Sequence, residues 1–511
     1  MQNNGIGTWI SRRRRRSADA IALSSGDSHL SYADLASRIA RLADALAARG
    51  VASGDRVAFL GDNHPAFLET LFATTTLGAI FVPLNTRLAA PEIEFALEDS
   101  GATTLIFHAA LQPLARAGAW TSAVTRRIII VGEAYPAVEA YEDVLASGVD
   151  APRPAVVTLD DPAIILYTSG TTGHPKGAVL THGNITWNCF NAIVDYGIGA
   201  DDRVLIISPL FHVASLAMGA LPALLQGGRV LLHDRFEPGQ VLRTVEAERI
   251  TMLSGVPTTF QMLQEHSDWE STDISSLHNL TCGGSRVPDR MIEAYEKRGL
   301  AFSCGYGMTE TAPGATAMPP QMTKHKIGSS GMKHFFTDVK IVDELGAELG
   351  PGEVGEIWVS GPNVIREYWH RPDATATAFS DGWFRSGDLG YFDEDGYIYI
   401  SDRLKDMIIS GGENIYSAEV ESLIMELPQI SAVALVGVPD EKWGEVPLAV
   451  VTLSPGASLT GQDVVDHLTG RLAKYKIPKQ VVFTDELPRT ASGKVRKAEL
   501  RAAHLPPVAH A

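Results

Sequence analysis

An apolar run, Ala163-Ile164-Ile165-Leu166, feeds straight into Tyr167-Thr168-Ser169-Gly170-Thr171-Thr172-Gly173-His174-Pro175-Lys176-Gly177, and Ala178-Val179-Leu180-Thr181-His182 leads on towards a helical stretch. The apolar run reads as a buried strand end. Beyond it, three threonines, a serine, three glycines and one lysine fall within eleven residues. Glycines let the backbone turn its N–H groups inward, and such concave backbone binds anions. Hydroxyls add donors, and a lysine adds a mobile positive charge for phosphate oxygens. The stretch therefore predicts a triphosphate cradle at the end of a strand. A plain surface turn also uses Gly, Ser and Thr, but needs fewer of them in a row. A Walker P-loop is excluded. Pro175 precedes Lys176 and Gly177-Ala178 follow it, so no hydroxyl stands where that motif places one on magnesium.

The chain is long enough, at 511 residues, for two or more domains with large cores. Its net charge of −17 argues against bulk nucleic-acid binding. Cys189, Cys282 and Cys304 are scattered, so a disulfide framework and a structural zinc site are not expected, and a reduced compartment is. No apolar run reaches the length of a membrane span. The start, Met1 to Trp9, lacks the apolar core of a signal peptide, and Pro506 to Ala511 carries no lipidation or peroxisomal signal. These features predict a cytoplasmic protein. Five arginines run from Arg12 through Arg13, Arg14 and Arg15 to Arg16. The plain reading is the solvated start of a helix; the sharper one is a weak membrane-surface contact with anionic lipid. A homo-oligomer is left open.

Up to residue 160 the chain alternates helix and strand signals. Helices are expected over Tyr32–Ala48, Pro65–Leu77 and Glu92–Asp99, and strands over Arg56–Leu60, Ala79–Leu84, Thr103–Phe107 and Arg127–Val131. From 200 to 340 the alternation continues, with strands at Val204–Ile207, Arg229–Leu232, Thr251–Ser254, Asn279–Cys282 and Ala301–Cys304. Such alternation predicts layered α/β architecture with parallel sheet. Four loops leave strand ends: the first stretch, Ser208 to Ala214, Gly283-Gly284-Ser285, and Gly305 to Glu310. Ligands of open α/β sheets sit at such ends. Residues 340 to 400 read as a β-rich subdomain. From about Asp402 a small α+β domain follows, with helices at Glu419–Leu427 and Asp463–Lys474 and strands at Ala432–Val438, Leu448–Leu453 and Lys479–Phe483. The division expected is 1–401 for the large domain and 402–511 for a mobile lid.

The Tyr167-to-Gly177 stretch resembles the phosphate-loop signature of the adenylate-forming superfamily, which includes acyl-CoA synthetases, luciferases and peptide-synthetase adenylation domains. Its implications run residue by residue. Thr168, Ser169, Gly170, Thr171, Thr172, Gly173 and Lys176 would hold the triphosphate. Gly283, Gly284 and Ser285 look like the adenine-side loop. Tyr306, Gly307, Met308, Thr309 and Glu310 match the family's Tyr-Gly-x-Thr-Glu motif, which implies adenine stacking for Tyr306, an α-phosphate contact for Thr309 and a magnesium ligand in Glu310. A carboxylate beside a phosphate cradle also needs a cation between the two, and magnesium prefers such hard oxygens. Asp388 matches the ribose-binding carboxylate, and Arg403 is expected to join it. Asp402 matches the hinge. The Gly-rich loop with Ser410, Gly411 and Gly412 corresponds to one that lines the pantetheine channel of CoA ligases, and Trp443 is either near CoA or a packed core residue. Lys494, after Gly493, matches the lysine that neutralises charge during adenylation.

His212, in Pro209-Leu210-Phe211-His212, resembles the family's aromatic-His element, which orients the carboxylate or gates CoA entry. Pocket size is expected to depend on Val213, Ala214, Met218, Gly305, Ala312, Pro313 and Gly314. The resemblance spans Tyr167 to Lys494 and implies an AMP-forming acyl-CoA synthetase, with ATP, Mg2+ and coenzyme A as its cofactors. The Thr181-to-Cys189 and Asn3-to-Trp9 stretches look like bacterial feruloyl-CoA synthetases, and Asp402 to Tyr416 looks like mycobacterial-type fatty acyl-CoA ligases. A hydroxycinnamate is the first expectation for the acid, a medium or long fatty acid the second. A carrier-loading adenylating enzyme would hand its product to a carrier domain, which is not expected after residue 511. A non-catalytic nucleotide-binding protein would be expected to lose Lys494 or Glu310, and both are present.

Overall fold

Two compact units make up the chain in a computed structural model: Met1–Val339 with Val359–Phe384, and Lys340–Trp358 with Arg385–Ala511. The residues described are 3–504, without 120, 121, 123, 124, 126, 134–137, 152–154, 169–174, 284–286, 405, 411, 412, 441, 442, 473 and 490–493.

The larger unit is built on two sheets. One has seven strands in the order Glu139–Ala140, Arg127–Val131, Thr104–His108, Arg56–Leu60, Ile80–Leu84, Pro162–Thr168, Lys176–Thr181. All neighbours are parallel except the last pair, an antiparallel hairpin. Every residue of Ile80–Leu84 is buried, as expected of a central strand covered on both faces. The helix Tyr32–Ala48 starts at a capping box made by Ser31 and Asp34 and buries Leu35, Ile39, Leu42 and Leu46, one stripe at helical spacing.

The other sheet has nine strands. Its centre is parallel and runs Phe302–Gly307, Asn279–Cys282, Met252–Gly255, Arg203–Ile206, Arg229–Leu232, Ile21–Ser25. Its edges depart from the all-parallel expectation. Ser28–Ser31 folds back on one side, and Gly314–Ala317 then Met332–Lys333 fold back on the other. These additions are short and carry no apolar alternation, so periodicity alone does not mark them.

The strand Lys176–Thr181 replaces an expected lead-in to a helix. Its apolar Ala178-Val179-Leu180 pairs back on Ile164 to Leu166. The helix begins at His182, where Thr181 and Asn184 form a capping box, and runs to Tyr196 before Gly197 ends it in the left-handed region.

In the smaller unit, Ile398–Arg403 lies antiparallel to Trp383–Phe392. A second sheet runs Glu413–Ile415, Ile408–Ser410, Gly444–Leu453, Ile430–Asp440, and Gln480–Phe483 joins Gly444–Leu453 in parallel. The helix expected over Asp463–Lys474 is shorter, Gly461–Leu468, because Gly470 takes a φ of 81° and turns the chain. Among the described residues no helix is long and apolar enough to cross a membrane. Three arginines of the basic run are tied down. Arg12 donates to the Asn3 carbonyl at 3.1 Å, Arg13 to the Leu225 carbonyl at 2.7 Å, and Arg14 pairs with Asp150 at 3.1 Å.

Candidate active site

The base of the phosphate loop is clamped from several directions. Tyr167 donates its hydroxyl to Asp99 Oδ2 at 2.8 Å, and Arg371 also binds the Asp99 carboxylate. Burial and the Asp99 charge hold the Tyr167 hydroxyl protonated far above its usual range. The segment Glu367–Trp369 runs along Lys176–Thr181 as an added edge: Val179 N–H donates to the Glu367 carbonyl, Trp369 N–H to that of Gly177, and Ala178 bridges to Tyr368. Gly177 permits this approach. A Cβ there would stand 2.7 Å from Ile165 and 3.3 Å from the Trp369 Cβ. Thr168 and Lys176 are paired at the loop end of the hairpin, where the phosphate loop leaves and re-enters the sheet. Ser169, Gly170, Thr171, Thr172 and Gly173 lie outside the described residues, as do Gly284 and Ser285.

The Tyr306-to-Glu310 motif forms a strand end and a single 3-10 turn, Thr309–Thr311. Gly307 has no room for a side chain, since a Cβ would come within 1.7 Å of the Pro313 carbonyl. Met308 N–H donates to that same carbonyl at 3.0 Å, which fixes the turn. Tyr368 donates its hydroxyl to Glu310 Oε1 at 3.0 Å, and Lys176 Nζ stands 5.4 Å from the Tyr368 ring centre. The two predicted phosphate-binding motifs therefore meet at a residue that sequence reading passed over. A cleft of about 520 Å³ opens beside it, lined by Glu367 to Pro372 with Thr375 and Ala376.

A polar stripe on the His182–Tyr196 helix holds the neighbouring turns. Asn184, Asn188, Asn191 and Asp195 follow one another three or four residues apart, hence on one face. Asn184 donates to the carbonyls of Pro362 and Val364, Asn188 accepts from Gly314 N–H at 3.0 Å, and Asn191 donates to Thr337 Oγ1 at 2.9 Å. Thr337 donates on to Asn363, whose amide reaches the carbonyls of Thr311 and Gly314, both at 2.7 Å. Buried asparagines of this kind close backbone hydrogen bonds that irregular turns leave open.

His212 lies on the turn after Arg203–Ile206. Asn63 anchors that turn. It is buried, accepts from Leu210 N–H at 2.8 Å, and donates to the carbonyls of Ser208 and His233, both at 3.0 Å. Among the expected acid-pocket residues, Val213, Met218, Ala312 and Gly314 are buried, whereas Ala214 is exposed. Met218 sits in the π-helical turn Ser215–Ala220 and meets Asn188 Nδ2 through its sulfur at 3.5 Å. Gly305 pairs with Ala317, and Ala312 takes a left-handed φ of 65° before Pro313.

In the smaller unit, Asp388 and Arg403 are backbone register partners in paired antiparallel strands. Gly387, at a φ of 70°, donates its N–H to Glu356, and Glu356 also takes Arg385 and the Trp358 indole. Asp402 is buried and accepts from Ser417 N–H, at the first turn of Ser417–Ile424. Lys497, three residues beyond Lys494, pairs with Glu421 at 2.8 Å and reaches Ser417 Oγ, pinning its own helix to Ser417–Ile424. Lys494 is exposed. Ser410 is buried and Trp443 is exposed, with Lys479 5.9 Å from its ring centre. Gly283 is described at the end of its strand; Gly411 and Gly412 lie outside the described residues.

Comparison with known proteins places these features in one lineage. The model of the AMP-binding enzyme family matches residues 10–369, and that of its C-terminal domain matches 419–494. The chain is 51% identical to a feruloyl-CoA synthase of Amycolatopsis sp over 504 residues, 98% of this chain and 99% of the relative. It is 44% identical to an indoleacetate–CoA ligase of Aromatoleum aromaticum, covering 97% of each. The structure of o-succinylbenzoate coenzyme A synthetase from Bacillus subtilis, in complex with ATP and magnesium ion, superposes with a TM-score of 0.87 at 33% identity, covering 96% of this chain and 99% of that one. The chain therefore belongs to the AMP-binding enzyme family, within the adenylate-forming superfamily, and is an AMP-forming acyl-CoA synthetase that uses ATP and CoA.

Proposed function

We propose that this enzyme ligates a hydroxycinnamate such as ferulate to CoA. The observation that carries the acid assignment is similarity to a feruloyl-CoA synthase along the whole chain. A carboxylate oxygen of the acid attacks the α-phosphorus of ATP; the bond to the bridging oxygen breaks and pyrophosphate leaves. The CoA thiol, losing its proton, then attacks the acyl carbon and AMP departs with the electron pair of the acyl–oxygen bond.

Lys176 and Thr168, at the ends of the hairpin, are assigned to the triphosphate, Thr309 to the α-phosphate, and Tyr306 to the adenine. Asp388 and Arg403 are assigned to the ribose. Lys494 neutralises the charge that builds on the α-phosphate as the oxygen attacks. His212 orients the carboxylate. Asp402 is the proposed hinge between 1–401 and 402–511, with Ser410 and Trp443 on the CoA side.

Glu310 is the proposed magnesium ligand. Among the described residues no cluster of three or more His, Cys, Asp or Glu side chains could hold a metal. A lone carboxylate beside a phosphate loop fits an ion held mainly by substrate oxygens and water, as magnesium is. Bound there, the ion offsets charge on the phosphates.

We place the enzyme in the cytoplasm. Weak contact with an anionic membrane is assigned to the arginine run, above all Arg15 and Arg16, whose side chains have no partner among the described residues, and is tested by sedimentation with anionic vesicles; sedimentation velocity likewise tests a homo-oligomer. The acid is tested by offering ferulate, coumarate, benzoate, octanoate and palmitate with Mg·ATP and free CoA. Highest kcat/KM for ferulate or coumarate supports the assignment; a preference for octanoate or palmitate refutes it.

A further inference from the structure

Lys494 leaves from a clasp inside the smaller unit. Arg489 and Val495 pair in an antiparallel bridge, and Arg496 N–H donates to the Pro488 carbonyl at 2.8 Å. Val495, the residue after Lys494, packs against buried Leu487 and Leu500 in the cluster that also holds Val436 and Val450. The helix Lys497–Ala503 follows directly.

That helix buries one residue of its seven, Leu500. Apolar contact at a single residue sets how close a helix lies to its neighbour, but it has no direction and leaves the helix free to turn and slide. Lys497 removes that freedom. Its Nζ pairs with Glu421 Oε1 at 2.8 Å and donates to Ser417 Oγ. Glu421 also accepts from Leu435 N–H at 2.7 Å, which fixes the carboxylate to the strand Ile430–Asp440. Ser417 N–H in turn donates to Asp402. Directional contacts thus run without a break from the head of the Lys497 helix to the carboxylate proposed as the hinge.

We propose that Lys497 is a positioning residue for Lys494: with Glu421 and Ser417 it holds the Lys494 segment in fixed register with Asp402, so that rotation about the hinge carries the ammonium to the α-phosphate. The inference rests on the roles proposed for Lys494 and Asp402 and adds the residue that couples them. Electrostatic catalysis depends on charge held in place before the reaction, and a misplacement of about 1 Å can cost on the order of 100-fold in rate. Stability alone asks for less, since a partly exposed ion pair contributes little to folding.

The test uses Lys497→Met, which keeps the length of the side chain and removes its charge. The half-reactions are measured separately, as acid-dependent pyrophosphate exchange and as thioester formation from preformed acyl-AMP and CoA. Exchange at saturating ATP should fall about tenfold or more with KM for ATP little changed, thioester formation should be far less affected, and Lys497→Arg should restore most of the exchange. A merely structural lesion would lower both half-reactions together. If Lys497→Met does not fold, judged by its melting curve, Glu421→Gln breaks the same ion pair. Exchange at the wild-type rate, or equal loss in both half-reactions, overturns the inference while the ligase reading stands. Equal loss in both from Lys494→Ala overturns the role of Lys494, and the inference with it.

Discussion

The Tyr368 hydroxyl donates to Glu310 Oε1 across 3.0 Å, joining the segment beside the phosphate-loop strand to the turn that follows Tyr306 and Thr309. Tyr368 is buried, and burial together with the Glu310 charge keeps its hydroxyl protonated well above the ordinary tyrosine range. The bond therefore persists at any working pH and fixes one oxygen of the carboxylate. Tyr368→Phe retains the ring over which Lys176 stands and removes only the donor. Hydrogen bonds to charged groups are worth roughly 1.5–3 kcal/mol. Acid-dependent pyrophosphate exchange, measured against magnesium concentration, should show a requirement raised about tenfold, with little change in melting temperature.

Asn63 is expected to matter to both stability and chemistry. Asn63→Ala leaves Leu210 N–H and two carbonyls without their partner at the turn that carries His212. Denaturant unfolding should show a loss of about 2–4 kcal/mol. In protein that remains folded, KM for the acid should rise.

Stability should also fall on acidification. Burial lowers the His108 and His182 imidazoles from 6.5 to about 4. Between those values the unfolded chain takes up protons that the folded chain refuses. The folded state is thus fully favoured above about pH 6.5 and loses stability as pH drops towards 4, by at most about 3 kcal/mol per histidine. Melting temperatures from pH 7 to 4 check this, and His108→Phe should flatten the slope.

Lys494→Ala separates the two half-reactions. Adenylation, followed by pyrophosphate exchange, should drop about 100-fold or more. Thioester formation from preformed acyl-AMP and CoA should be far less affected. Equal losses in both would reject the assigned role.

Much of the parallel sheet was legible, since strands such as Arg56–Leu60, Arg229–Leu232 and Asn279–Cys282 are short apolar runs bounded by turn residues. The antiparallel edges were not, because Gly314–Ala317 and Met332–Lys333 carry no alternation, and their place depends on partners distant in sequence. Chemistry-bearing motifs stood out where several special residues cluster, as around Lys176 and Glu310. Asn63, Tyr368 and Asn363 did not. Each is a single ordinary residue whose significance comes from what folding places opposite it. The asparagine stripe could have been found: polar residues at 184, 188, 191 and 195 on a helix with buried Ile185, Cys189 and Ala192 signal a buried polar face.

The most direct measurement is exchange of labelled pyrophosphate into ATP, without CoA, in the presence of magnesium and ferulate. Formation of an acyl-adenylate predicts rapid exchange that requires both the acid and the metal, with AMP and feruloyl-CoA appearing one for one once CoA is added. Absence of exchange with ferulate and every other free acid, or cleavage of ATP to ADP, would contradict it.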